Sequence, residues 1–423
     1  MTGRPRAEQL VPNQERMAAD FAEFSTLKDD TVGGWTRTVF SDSYRSSRGW
    51  IESRMRDAGL ETSIDAAGNI VGRYAGRSGA SSQLMTGSHT DTVHAGGRFD
   101  GVVGVFAGIE IARRLRETDT RLDHDFVVVD FLGEEANDFG LSCMGSRSIA
   151  GILTAEHLDR RDDRGQRLGD AMSLFGLDTD HALRNAWSAD EVHGYVELHI
   201  EQGPLLEASD RTIGVVTAIA GIERLMARFQ GRADHAGTMP MDMRHDALAA
   251  AAAAVLAVER IGCGAPVHGV STVGRIASSP GALNVVPDEA QVWAELRSTD
   301  REWLNGAKRS LVDDIAAEAS RRGVDLLVEW LNDQDPVPAH PNVQDQIALS
   351  SDDLGIAWKA VPSGAGHDAA HLARLAPMGM IFVPSQDGRS HCPEEFTTMD
   401  DIAAGTHVLA ATLIRMDEES KAP

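Results

Sequence analysis

Four apolar runs in this chain each lead to a motif that carries a histidine or a pair of glutamates, and that pattern constrains the fold most. LMT (84–86) runs into GSHTDTV, FVVVDFL (126–132) into GEE, and YVEL (195–198) into HIEQGP. MIFVPS (380–385) is followed by a short loop and then SHCPEE. Short apolar runs bounded by turn residues read as buried strands of a parallel sheet. In open α/β sheets ligands bind beyond the carboxyl ends of the strands. Four such ends bearing His or Glu predict one shared metal centre, and with it an enzyme.

The rest of the chain is organised around these runs. Residues 8–27 predict an amphipathic helix with Leu10, Met17, Phe21 and Phe24 near one face, followed by a Gly/Ser/Arg-rich loop over about 30–48. Trp50, Met55 and Leu60 predict a second helix, stopped at Gly59. From about 64 onward strands alternate with helices, which implies a largely parallel sheet. Residues 156–191 are polar and read as a surface insertion. Near 210–220 the texture changes: 213–219 and 222–229 alternate like antiparallel strands, and an Ala-rich helix follows. Further strands are expected near 268–276 and 290–297, then a helix over about 301–322. The α/β pattern returns from about 335. The expected fold is therefore α/β, with a discontinuous catalytic domain (1–214 and 333–423) whose mostly parallel mixed sheet is flanked by helices. An α+β domain with an antiparallel sheet is inserted over 215–332.

Charge excludes some partners. The 40 basic and 64 acidic residues leave a net charge of −24, a field that repels nucleic acid and anionic membranes at long range. A small anion can still bind where a fixed Arg dominates locally. The longest apolar run, Ala247–Val258, is too short to cross a bilayer, which takes roughly 20 residues. Cys143, Cys263 and Cys392 form neither a CxxC pair nor an even disulfide set, which fits a reducing cytosol. The N-terminus has no apolar core of a secretion signal, so a cytoplasmic location is expected.

In GSHTDTVHAGGRFDGVVGV, His89 is a candidate ligand and Asp91 could accept its other ring N–H. Asp100, in a Gly-rich turn, could bridge two metals. An isolated His-x-Asp more often hydrogen-bonds its own loop; the other motifs tip the reading toward metal. In FLGEEAND, Glu135 would bind metal while Glu134 takes a proton from the attacking water. A Glu pair on a loop is usually a solvated surface feature, but here it ends a buried strand. His199 and His391 complete the set. The expected site holds two divalent ions about 3.5–4 Å apart, with His89 and His199 on one, Glu135 and His391 on the other, and Asp100 between them. His and carboxylate ligands suit Zn²⁺ first, or Mn²⁺ or Co²⁺. Cys392, beside His391, is expected to pack rather than to ligate.

GSHTDTV, GGRFDGVVGV, EEANDFG, LHIEQGP, DHAGTMPM and SHCPEE, in this order from about 60 to 400, resemble the hydantoinase/carbamoylase branch of the dinuclear zinc aminoacylase and carboxypeptidase superfamily. LHIEQGP discriminates, because related peptidases usually place a carboxylate where His199 stands. The resemblance implies a catalytic domain interrupted by a lid domain that also forms a homodimer. It further implies that His235 reaches the partner subunit's site and helps hold the oxyanion. Gln202, Asn284 (GALNVVPDE) and Arg297 (WAELRST) match substrate-contact positions, and His367 (SGAGHDA) matches a further substrate-side motif. Arg297 also ends an alternating strand, and Arg suits bidentate carboxylate recognition, although an Arg on a strand is more often a surface residue. One departure is SHCPEE, where many relatives have Asn after the histidine.

The expected reaction is hydrolysis of a ureido C–N bond on a small carboxylate, an N-carbamoyl-L-amino acid first. Allantoate, β-ureidopropionate, and N-acyl amino acids or peptides are the alternative substrates. A non-catalytic metal-binding relative is a further alternative, disfavoured by the intact Glu134. The absence of a GxxxxGK[ST] loop argues against phosphate chemistry.

Overall fold

Unbroken apolar runs bury both faces of a strand, and Asp125–Phe131 is buried at all seven positions. It lies inside a nine-stranded mixed sheet. In order, the strands are Glu61–Ile64, Ile70–Tyr74, Asp125–Phe131, Gln83–His89, Val192–Ile200, Met378–Val383, Ile213–Ile219 and Val337–Pro338, with Trp358–Ser363 also paired to Ile213–Ile219. The computed structural model describes residues 3, 5–77, 82–266 and 268–419. The chain divides into two compact units: Met1–Thr217 with Ala339–Val361 and His367–Pro423, and Ala218–Pro338 with Pro362–Gly366.

Four central strands of the first unit run parallel. Gln83–His89 pairs with Asp125–Phe131, with His89 opposite Phe131, and also with Val192–Ile200. Met378–Val383 pairs with Val192–Ile200, with Phe382 opposite His199. Their carboxyl ends therefore share one edge of the sheet. The helices Val102–Glu117 and Met399–Glu419 contribute Val105, Ile109, Leu409 and Leu413 to the main core, together with Met17, Phe21 and Phe24.

Several local expectations change. The N-terminal helix spans Gln14–Phe24, capped by Asn13, whose side chain accepts the Arg16 N–H. Pro12 disfavours helix at the residue before it, so only a 3₁₀ turn, Ala7–Gln9, forms upstream. The expected loop over 30–48 ends early, because Ser41 caps a helix at Asp42–Asp57. The polar stretch 156–191 holds short helices, with Leu158, Leu168, Met172 and Ala182 in a small apolar cluster shared with Ala67, Leu141, Met144 and Leu153. Strand 213–219, expected to begin the inserted sheet, instead pairs antiparallel with Met378–Val383. Alternation identifies a half-buried strand but not its partner.

The second unit is built on a four-stranded antiparallel sheet in the order Asp325–Gln334, Gly221–Gln230, Glu289–Ser298, Val270–Ser279. Strand Glu289–Ser298 alternates strictly between half-buried and buried positions. Its buried face meets the helices Ala247–Cys263 and Arg301–Arg321 through Ala250, Ala254, Leu311 and Ile315. Alanines on the first helix allow it to lie close to the strands. A separate ribbon pairs Asp234–His235 with Val285–Val286.

Candidate metal centre and active site

His89 is the last residue of its strand, and its imidazole sets the geometry of the turn that follows. Gly101 has φ 68° and ψ −44°, and the Val102 N–H donates to the Asp100 carbonyl at 2.7 Å. This is a γ-turn with a positive central φ, a conformation strained for any residue with a Cβ. A Cβ on Gly101 would also lie 2.4 Å from His89 Nε2. Glycine thus lets the turn close on the ring and presents Asp100 beside it.

Asp100 stands at the centre of the cluster. Its Oδ1 is 3.2 Å from His199 Nε2 and 3.9 Å from His89 Nε2. Its Oδ2 is 3.0 Å from His391 Nε2, which is itself 3.4 Å from Glu135 Oε1. Two groups of candidate ligands result, His89–Asp100–His199 and Asp100–Glu135–His391, and they share Asp100. Neither contains a cysteine. Cys392 is half-buried, and its carbonyl accepts the Glu395 N–H at 3.1 Å. A third group, Glu197–His199–His367, is also close enough to hold an ion. Glu197, however, already accepts from Ser88 Oγ, Tyr195 Oη and the Ala369 N–H, so it serves as a hydrogen-bonding hub under His199.

The Glu134–Glu135 loop is clamped from two sides. The Asp91 carboxylate accepts the N–H groups of Glu134 at 3.2 Å and Glu135 at 3.1 Å. The N–H groups of Cys143, Met144 and Gly145 donate to the carbonyls of Glu134, Gly133 and Leu132. Asp91 was expected to accept the His89 ring N–H. The nearer acceptor for His89 Nδ1 is instead the Asp91 main-chain carbonyl at 3.1 Å, with the carboxylate at 3.6 Å, because both carboxylate oxygens serve the amides. Glu134 Oε2 lies 3.5 Å from His89 Nε2, and the Cys143 thiol reaches Oε1 at 3.6 Å.

The other expected residues divide between the units. Gln202, at a positive φ of 57°, donates to Asp100 Oδ2 at 2.9 Å, and its amide nitrogen lies 3.3 Å from His391 Nε2. It rests on the ligands themselves. His367 is 1% exposed, and its ring meets that of the candidate ligand His199 edge-on at 4.6 Å. In the second unit, His235 and Asn284 are exposed and adjacent, with the Ala236 N–H donating to the Asn284 carbonyl at 2.9 Å. Arg297 lies on the other sheet of that unit, where Nε donates to Glu295 at 2.8 Å and Nη1 to the Gly364 carbonyl at 3.1 Å.

The electrostatics fit divalent cations. Burial pushes the Glu134 carboxyl well above its usual range, with Glu135 and Asp368 adding to the effect against His89. Burial and Asp100 push Glu135 up to about 8. The hydrogen bond to Asp100 holds His391 up to about 9 despite burial. Burial would also raise Asp100, but His391, His199 and His89 outweigh it and keep it ionised. As bare protein the cluster must share protons among its members, and a dication neutralises the same charges. Asp100 Oδ1 and His199 Nε2 are cut off from solvent without a hydrogen-bond partner, and the other nitrogen of His199 faces the Ile200 carbonyl at 2.9 Å. Orphaned donor atoms converging in this way are what an ion would satisfy.

Sequence reasoning overlooked Glu197, Cys143 and Glu395. Glu197 carried a signal: it lies two residues before His199 on a strand, so both share one face.

Residues 85–415 match Peptidase family M20/M25/M40. The chain is 38% identical over 403 residues to an N-carbamoyl-L-amino acid amidohydrolase of Geobacillus stearothermophilus, covering 94% of this chain and 97% of that one. It is 35% identical over 401 residues to a ureidoglycolate hydrolase of Oryza sativa subsp. japonica, covering 93% and 83%. A crystal structure of an amidase of the hydantoinase/carbamoylase family from Burkholderia multivorans is similar with a TM-score of 0.86 at 33% identity, covering 96% and 98%. The chain belongs to Peptidase family M20/M25/M40 and, within it, to the hydantoinase/carbamoylase amidohydrolases, hydrolases of linear amide C–N bonds.

Proposed function

We propose that this protein hydrolyses the ureido group of an N-carbamoyl-L-amino acid, consuming one water and releasing ammonia, CO₂ and the amino acid. The observation that carries the reading is Asp100, whose two carboxylate oxygens face separate imidazoles: His199 at 3.2 Å and His391 at 3.0 Å. His89, Asp100 and His199 would hold one divalent ion, and Asp100, Glu135 and His391 the other, with Zn²⁺ first and Mn²⁺ or Co²⁺ as alternatives. Such ions supply Lewis acidity that lets water ionise near neutral pH and polarises a carbonyl.

The chain's own residues do the rest. Glu134 accepts the proton of the attacking water and returns it to the leaving nitrogen. Its clamped backbone fixes where that carboxylate sits. Arg297 and Asn284 hold the substrate carboxylate, and Gln202 helps orient the ureido group. His235, from the second copy of a homodimer, donates to the oxyanion. The dimer reading is supported by Val270–Ser279, an exposed edge strand with Val270 50% exposed. A 480 Å³ groove beside that strand is lined by Val255 and Leu256. An open edge of this kind pairs readily with another copy. Among the described residues no helix is long and apolar enough to cross a membrane, and the cysteines are free; we place the enzyme in the cytosol.

N-carbamoyl amino acids come first because the relative of 38% identity carries them in its name, while ureidoglycolate and allantoate, named in relatives of 35% and 31% identity, share with them a ureido group on the α-carbon of a carboxylate. The test is a panel of N-carbamoyl-L-amino acids, ureidoglycolate, allantoate, β-ureidopropionate and N-acyl amino acids, scored for ammonia on protein reloaded with each metal. Ammonia from the N-carbamoyl-L-amino acids at the highest kcat/KM is the expected result. Free acyl acid from N-acyl substrates, with no ammonia from any ureido compound, would overturn it.

A further inference from the structure

Glu395, the last residue of SHCPEE, has no part in the chemistry above, yet it is 3% exposed and sits where two ligand-bearing loops meet. Its Oε1 accepts the N–H groups of Phe99 at 2.8 Å and of Asp100 itself at 3.1 Å. Its Oε2 accepts from Ser390 Oγ at 2.6 Å. Ser390 is the residue before His391, and its Oγ also lies 3.4 Å from Asp100 Oδ2. One buried carboxylate therefore grips the backbone of the Asp100 turn with one oxygen and the His391 loop with the other.

The surroundings are shaped for that carboxylate. A Cβ on Gly97 would fall 2.0 Å from the Glu395 carboxyl carbon, so only glycine lets the turn close over it. Burial of such a group is costly unless its lone pairs are satisfied, and three donors from two distant segments satisfy them. His391 is held at a positive φ of 56°, a conformation that needs support from its neighbours. The adjacent Glu394 is exposed and pairs with Arg389 on the surface, so the two glutamates of the motif do different work.

We propose that Glu395 is a positioning residue that sets the separation of the two ion positions, by holding the Asp100 turn against the loop that carries His391. The inference rests on the two-ion reading above. Partners that orient metal ligands typically change affinity about 10–100-fold when removed. Here the larger loss should fall on the ion held by Asp100, Glu135 and His391, since Glu395 grips both the Asp100 turn and the His391 loop, while the shared Asp100 passes a smaller loss to the other ion.

The test loads the full-length chain with Zn²⁺, counts ions by native mass spectrometry and measures both affinities by chelator competition. Glu395→Ala should weaken one ion about 10–100-fold and the other, which shares Asp100, distinctly less. Glu395→Gln retains one acceptor oxygen and should lose less, and Ser390→Ala, which removes the link to the His391 loop together with the hydroxyl's contacts to Asp100 and Gln202, should weaken the same ion. If Glu395→Ala fails to fold, the Gln and Ser390 variants decide. Two ions at wild-type affinity in both of those variants would overturn the inference. So would equal weakening of both ions in step with a lower melting temperature, which marks a purely structural role. Wild-type protein that binds fewer than two ions would overturn the two-ion reading itself, and this inference with it.

Discussion

Replacing Gly101 by alanine tests whether the turn, and not merely the presence of Asp100, builds the centre. The backbone there sits at φ 68° and ψ −44°, and holding a residue with a Cβ in such a conformation costs about 1–3 kcal/mol. The new methyl would also lie 2.4–2.5 Å from three atoms of the His89 ring. His89 is 2% exposed, so a rigid response adds an overpacking cost of about 1–3 kcal/mol. A protein that keeps both the turn and the ring in place should therefore lose about 2–6 kcal/mol. The alternative is for the imidazole to swing aside, which spares stability but takes Nε2 away from Asp100 and Glu134. Both outcomes are read on one preparation, by denaturant unfolding of the chelated protein and by chelator competition on the loaded protein. Gly306→Ala is the control: it lies inside helix Arg301–Arg321 with nothing within 4 Å of the added methyl, and should be neutral or stabilising by about 0.5–1 kcal/mol. If Gly101→Ala changes stability by less than about 0.5 kcal/mol and binds both ions as wild type does, the account of this turn is wrong.

Glu134→Gln should reduce turnover about 10²–10⁴-fold while both ions stay bound; near-normal turnover would remove Glu134 as the base. Arg297→Lys should raise KM for carboxylate substrates with little change in kcat, because the planar fork is lost; an unchanged KM would place the anchor elsewhere. Mixed dimers of His235→Ala and Glu134→Gln should regain activity after subunit exchange, and exchange without recovery would exclude a role for His235 across the dimer. Chelation should lower the melting temperature, because ions that bind only the folded chain stabilise it by about 4.1 kcal/mol at a thousand times Kd; equal melting temperatures with and without chelator would argue against ions at this cluster.

The clustering of the candidate ligands was legible because their chemistry restricts them to a few residue types, and because strand ends in a parallel sheet share an edge. His89, Glu135 and His199 each follow a run that could be read as a strand, and strand periodicity did the rest. Where the partner of a segment mattered, the sequence was silent: 213–219 alternates equally well in either sheet, and it joins the larger one. Gln202 and His367 are expected on the substrate side, and the contacts they make are with Asp100 and His199; a motif reports that a residue matters and not which neighbours its side chain meets.

The supporting groups were hidden for a different reason. A side chain that ligates Zn²⁺ is almost always His, Cys, Asp or Glu, so its identity advertises its role. A group that holds a ligand in place needs only an acceptor that fits, and what it accepts are main-chain N–H groups, which every residue except proline supplies. The two amides that Asp91 grips are 43 and 44 positions away, and those that Glu395 grips are 296 and 295 positions away. No local pattern records such a pairing, since the partners carry no side-chain signature. What the sequence does record is the empty space the packed cluster requires, as glycine at position 97 beside the Glu395 carboxylate and at 101 beside the His89 ring. A glycine near a candidate ligand is therefore evidence about the supporting layer, and substituting it tests that layer without touching a ligand.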